Sequence, residues 1–144
     1  DCLVLNIYHE LIDFLKSESF AGKSIFESVL EKEKEDPERA FLWVRNKLQS
    51  DKFIKYFTQK VQNHFQSKTE KKVYLILYGF GSSFPYLRAS ELLKKTEQLI
   101  KDFKVFIFYP GEYKDAKYSL FGILDDDNMY RANNLNRQLG ELTE

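Results

Sequence analysis

At 144 residues the chain has the length of one domain. Its composition, 43% hydrophobic and 16% aromatic, supplies enough apolar material for one packed core, which excludes a disordered segment. Twenty-two basic residues balance twenty-two acidic ones, so no global field would hold a polyanion, and any contact with DNA is expected to be indirect. One cysteine, Cys2, excludes an internal disulfide. No run approaches the roughly 18 apolar residues of a membrane span and no signal peptide is visible, so the expectation is a cytoplasmic protein without membrane contact.

The chain opens at Asp1 inside an apolar run without an initiator Met, which leads us to expect a native polypeptide that extends upstream. Residues 2–7 are aliphatic and β-branched and read as a strand. It runs into a helix, because Leu11, Ile12 and Leu15 recur at helical spacing. Ser24 followed three residues later by Glu27 has the capping-box spacing, and Ile25, Phe26, Val29 and Leu30 form the apolar stripe of a helix ending near Glu35. Asp36 as N-cap and Pro37 at the first helical position open a second helix, with Ala40, Phe41, Val44 and Leu48 on one face. Phe53, Ile54, Phe57, Val61 and Phe65 step along at threes and fours, predicting a third.

The texture changes at residues 73–78, an unbroken apolar run short enough for a strand buried on both faces. Leu92, Leu93, Thr96, Leu99, Ile100 and Phe103 mark another amphipathic helix. Residues 105–109 repeat the strand pattern until Pro110 and Gly111 stop it. This strand, helix, strand unit predicts an α/β fold: an open, mostly parallel sheet covered by helices in three layers, forming a single domain over residues 1–144. Residues 118–124 read as a short strand, 125–128 as a turn, and 129–139 as a last helix stopped by Gly140.

Ligands of open α/β sheets sit at the carboxyl ends of strands, which here means residues 79–86 and 110–117. In the first loop Gly79, Gly81, Ser82, Ser83 and Arg88 follow a strand directly. Glycine-freed amides, two hydroxyls and a planar guanidinium suit a phosphate or carboxylate, and a tight strand-to-helix turn with Arg88 in an internal ion pair is the plainer reading. In the second loop Pro110 and Gly111 impose a turn that displays Glu112 and Tyr113. Tyrosine offers a partner large contact area with a polar tip, so a protein interface stands beside a structural turn.

Three other signals are weaker. Gly22-Lys23-Ser24 ends like a phosphate-binding loop, but the first glycine of that motif falls at Ser17 and the segment follows a helix instead of leaving a strand. Gly22 is expected to permit a turn and Ser24 to cap. Asp125, Asp126 and Asp127 lack the alternating ligands and closing Glu of a calcium loop and read as a solvated turn. Cys2, His9 and His64 lie far apart with no nucleophile elbow or zinc spacing, so neither catalytic residues, metal nor cofactor is expected.

The order of the later segments carries a family resemblance: Tyr78-Gly79-Phe80-Gly81-Ser82, Phe84-Pro85-Tyr86-Leu87-Arg88, Phe108-Tyr109-Pro110-Gly111-Glu112-Tyr113, Leu120-Phe121-Gly122, then Asp126-Asp127-Asn128-Met129-Tyr130-Arg131-Ala132. Together, best over residues 73–135, they resemble the BrxB family of BREX (bacteriophage exclusion) systems. The chain departs from the family pattern at Met129, where a first tyrosine is usual. The resemblance implies a non-catalytic subunit working beside a PglZ-like protein of the alkaline-phosphatase superfamily and other BREX components. Arg88, Glu112, Tyr113, Tyr130 and Arg131 would be its docking residues. The alternatives are a degenerate nucleotide- or nucleic-acid-binding domain with phosphate at residues 79–88, and a metal-dependent hydrolase using Glu112 and the aspartates.

Overall fold

A computed structural model describes residues 1–66, 73–97, 104–114, 117–125 and 133–141. Strand β1 (Cys2–Asn6) passes directly into α1 (Ile7–Ser17), because the Asn6 side chain accepts a hydrogen bond from the Tyr8 amide at 3.0 Å and starts the helix. Ile7, expected as the last strand residue, is therefore the first helical one. Next comes a hairpin the sequence reading did not foresee. Its strands β2 (Ser19–Phe20) and β3 (Lys23–Ser24) pair antiparallel across Ala21 and Gly22. Both linking residues have positive φ (51° and 84°), the backbone sense that matches strand twist in a two-residue hairpin turn. The Gly22-Lys23-Ser24 segment is thus a hairpin strand and a helix cap.

The helical layer follows its caps. In α2 (Ile25–Glu35) the Ser24 hydroxyl accepts from the Glu27 amide at 3.1 Å, and the Glu27 carboxylate accepts from the Ser24 amide at 3.0 Å. Helix α3 (Pro37–Leu48) is capped by Asp36, which accepts from the Arg39 amide at 3.0 Å, and α4 (Asp51–Phe65) completes the layer. Strands β4 (Tyr74–Tyr78) and β5 (Lys104–Ile107) flank a one-turn helix α5 (Phe80–Ser83) and α6 (Ala89–Lys95). The part of the expected helix beyond residue 97 lies outside the described residues.

The mixed α/β architecture with a parallel sheet is the one expected. Strand order is β1-β4-β5, parallel throughout, with Leu5 opposite Leu77 and Leu77 opposite Ile107. Leu5, Leu75 and Leu77 form one core with Phe14, Val44, Phe53, Phe57 and Leu92 from the helices. At its centre the Phe14 and Phe53 rings meet edge to face, 5.3 Å between centroids. Helices α1 and α4 are also joined by the nearly buried Glu10, which accepts from Lys60 at 2.6 Å and from the Tyr56 hydroxyl at 3.4 Å. Strand β4 is not buried on both sides: Leu75 and Leu77 are covered, whereas Tyr74 and Ile76 are half-buried and Tyr78 is exposed.

A second sheet differs from expectation. Strands β6 (Gly111–Lys114), β7 (Lys117–Leu120) and β8 (Leu124–Asp125) pair antiparallel in that order. What read as a turn after Pro110 is a strand with Gly111 opposite Leu120, and what read as one strand over 118–124 is two, separated by a turn at residues 121–123. Alternation is weak in four-residue strands rich in Tyr and Lys, so the Pro-Gly signal dominated the reading. Helix α7 (Leu135–Glu141) includes the end of the expected helix, residues 129–132 lie outside the described residues, and Gly140 lies within α7 instead of ending it.

Candidate functional site

At the carboxyl ends of β1 and β4 the connection from β4 into α5 is built by a glycine. Gly79 sits at φ +85°, a conformation costly for any residue with a Cβ, and a Cβ there would collide with the Asn6 side-chain oxygen that caps α1. Gly79 is therefore tied to helix α1. Its carbonyl accepts from the Ser83 amide at 3.1 Å, and the Phe80 carbonyl accepts from the Phe84 amide at 3.1 Å. Ser83 is fully buried, and its hydroxyl donates to the Phe80 carbonyl at 3.0 Å. Two amides and one hydroxyl of the candidate anion cradle are thus engaged inside the turn. Ser82 is exposed.

Gly81 in α5 is where the turn after β7 comes close: any side chain at that position would meet the Phe121 ring and Pro110. Arg88 stacks its guanidinium 5.8 Å from the centre of the Phe84 ring, and its amide donates to Glu91 at 3.5 Å. Arg88, Phe80, Phe84, Tyr109, Leu120 and Leu124 surround a shallow depression that would hold no more than a water molecule. Tyr113 packs on Tyr118, 4.7 Å between ring centroids, and Tyr109 meets Tyr118 from another side at 5.8 Å. Burial raises the Tyr118 hydroxyl above its ordinary pKa, with Tyr113 adding to the rise. The Glu112 side chain lies against Gly122.

Of the residues singled out in sequence, the structure brings Gly79, Gly81, Ser82, Ser83 and Arg88 to one strand end. Glu112 and Tyr113 stand on β6, which joins that end through Phe121 and Pro110. Tyr130 and Arg131 lie outside the described residues, as do Asp126 and Asp127. Three residues were missed as site candidates: Phe108 is 67% exposed, Phe121 57% and Ile123 81%, the last two in the turn between β7 and β8. No local signal marked the last two, because residues 118–124 read as one strand and the turn at 121–123 forms only when β7 and β8 pair. Phe121 also holds φ +55°, an unfavourable conformation for an aromatic residue. Among the described residues no group of three His, Cys, Asp or Glu side chains is placed to hold a metal, and no helix is long and apolar enough to cross a membrane.

The fold and the strand end define a small α/β protein with a parallel sheet and exposed aromatic side chains beyond its strand ends. Comparison with known sequences makes that class particular: the chain belongs to the family described as BREX protein BrxB, whose model matches residues 3–135. It is 30% identical over 83 residues to a BREX protein BrxB of Bacillus cereus (strain H3081.97), covering 58% of this chain and 39% of that protein. It is 26% identical over 129 residues to a BREX protein BrxB of Escherichia coli O9:H4 (strain HS), covering 89% of this chain and 59% of that protein. The matches thus span less than two thirds of the length of these curated relatives. No solved structure matches. The family is a component of the BREX anti-phage system.

Proposed function

We propose that this chain is a non-catalytic interaction subunit of its BREX system, and that the strand-end surface formed by the loop at Gly79, strand β6 and the turn after β7 docks a PglZ-like partner. The observation that carries this reading is the exposure of Phe108 just past β5, of Tyr113 on β6, and of Phe121 and Ile123 in the turn after β7, which lies against Gly81 and Glu112. Exposed apolar and aromatic side chains gain free energy only when a second surface removes them from water, and aromatic and arginine anchors dominate protein interfaces. The engagement of the Ser83 hydroxyl and of the Ser83 and Phe84 amides within the turn leaves a phosphate fewer donors, which favours a protein partner over an anion. The site of action proposed is the cytoplasm.

The test is co-purification of the tagged protein with the other products of its operon, wild type against a folded Arg88→Ala, Glu112→Ala, Tyr113→Ala variant. Loss of the PglZ-like protein from the variant is the expected result. Retention of every partner together with loss of phage defence would reject docking at these loops.

A further inference from the structure

The parallel sheet has a second face, and its composition is unlike a solvent face. The residues alternating with the buried Leu75 and Leu77 line up across three strands: Val4 opposite Ile76 opposite Phe106, with Tyr74 and Tyr78 on either side along β4. Val4 is 55% exposed, Tyr78 is exposed, and Lys104 brings the row's charge at one corner. Strand order β1-β4-β5 advances in one direction, so right-handed crossovers place both sets of connecting helices on the same side. The single core shared by the helices with Leu5, Leu75 and Leu77 agrees with that placement. Parallel sheets are stable with both faces covered, and this face is apolar accordingly.

Its dimensions select the occupant. Five residues at about 3.3 Å each make it roughly 17 Å long, and three strands about 4.8 Å apart make it roughly 14 Å wide. The resulting area, roughly 240 Å², falls well short of the roughly 800 Å² per partner of a stable protein interface even when doubled for surface relief. One helix about 10 Å thick fits it, and at 1.5 Å per residue about eleven residues, three turns, span its length. So small a contact does not repay the loss of freedom of a separate molecule, whereas a tethered helix has little to lose. In the relative from Escherichia coli some two-fifths of the length lies outside the matched stretch.

We propose that this face seats one amphipathic helix of about three turns, carried by the same polypeptide in a part of its length outside these 144 residues. The proposal is independent of the docking reading at the strand end.

Cys2 is exposed and, two residues from Val4, lies on the same face, so thiol labelling reports on it without a substitution there. The polypeptide is expressed at the relatives' length with any cysteine outside this chain changed to serine, and the rate of reaction of Cys2 with a maleimide is measured. Val4→Cys in a Cys2→Ser background gives a second probe, and Lys55→Cys in that background gives the exposed reference. Labelling of Cys2 and of Val4→Cys at least tenfold slower than Lys55→Cys, unchanged on dilution, is expected. Rates equal to the reference would overturn the proposal. Protection that vanishes on dilution would replace the tethered helix by a second copy, and protection that needs an added operon product would replace it by a partner.

Discussion

The helical half of this molecule and its strand-end half use the same kinds of residue in opposite ways. In the first, Phe14, Phe53 and Phe57 are sealed against the sheet, and hydrophobic burial accounts for their presence. In the second, Phe108 just past β5 and Phe121 and Ile123 in the turn after β7 stand in water beside a small antiparallel sheet whose Leu120 is buried and whose Tyr118 packs with Tyr109 against the edge of the main core. Stability explains the first set and not the second. If that division is right, substitutions in the two halves should separate folding from partner binding.

The largest effect should come from the sealed half. Phe57→Ala removes a fully buried ring on α4, and a cost of about 3–5 kcal/mol is expected, read as a lowered midpoint in urea denaturation followed by circular dichroism. An unchanged midpoint would mean that the helical layer is not the stabilising core and would remove the contrast altogether.

Gly79→Ala tests the joint between the halves. A Cβ at φ +85° costs about 1–2 kcal/mol by itself, and the collision with Asn6 adds to it by disturbing the cap of α1. We expect an intermediate loss of stability. Lost amide-exchange protection should appear both in the first turn of α1 and in the Gly79 loop, two segments far apart in sequence. Protection lost at the loop alone would uncouple the strand end from the core.

A smaller effect belongs to the bridge between α1 and α4. Burial raises the Tyr56 hydroxyl above its ordinary 10.0, helped by the Glu10 charge. Burial also pulls the Lys60 ammonium down, but its hydrogen bond and attraction to Glu10 outweigh this and leave it above 10.5. Both groups thus hold their protons more tightly folded than unfolded. Their contribution is complete below about pH 10 and is lost as pH rises through the raised folded values. Denaturation midpoints should be flat from neutral pH to about 9.5 and fall above pH 10. A Tyr56→Phe, Lys60→Met variant should fall less steeply over that range.

How much of this was legible beforehand follows the same division. Ser24 with Glu27, Asp36 with Pro37 and the periodic phenylalanines wrote out the helical half, because caps and a 3.6-residue stripe are local signals strong enough to survive any packing. Strands β1, β4 and β5 were found for a similar reason, as short runs of Leu, Ile and Val. The antiparallel sheet was not, since Gly111 and the Tyr-rich strands around it become a sheet only by pairing with one another, a non-local event. At the candidate site Gly79, Gly81 and Arg88 were legible as punctuation after a strand. That Ser83 points inward, and that Phe121 and Ile123 point outward, depends on how α5 meets the turn after β7 at Gly81, which no spacing in the chain reports.

Ile123 gives the smallest effect on folding and the sharpest test of the contrast. At 81% exposure its side chain has little apolar area to lose, so Ile123→Ser should leave the urea midpoint within about 0.5 kcal/mol of wild type. The same change removes an aliphatic anchor beside Phe121, and truncating a central interface anchor costs about 2 kcal/mol or more of binding, a factor of roughly thirty in affinity. Titration of the purified PglZ-like protein with wild type and Ile123→Ser, under identical salt, reads both quantities on one preparation. Equal affinity with equal stability would show that the exposed turn lies outside the contact and would move the docking surface toward Arg88 and the Gly79 loop. Weakened binding with an unchanged midpoint would assign the turn to the partner, since a side chain that leaves folding indifferent can alter affinity only through the surface it meets.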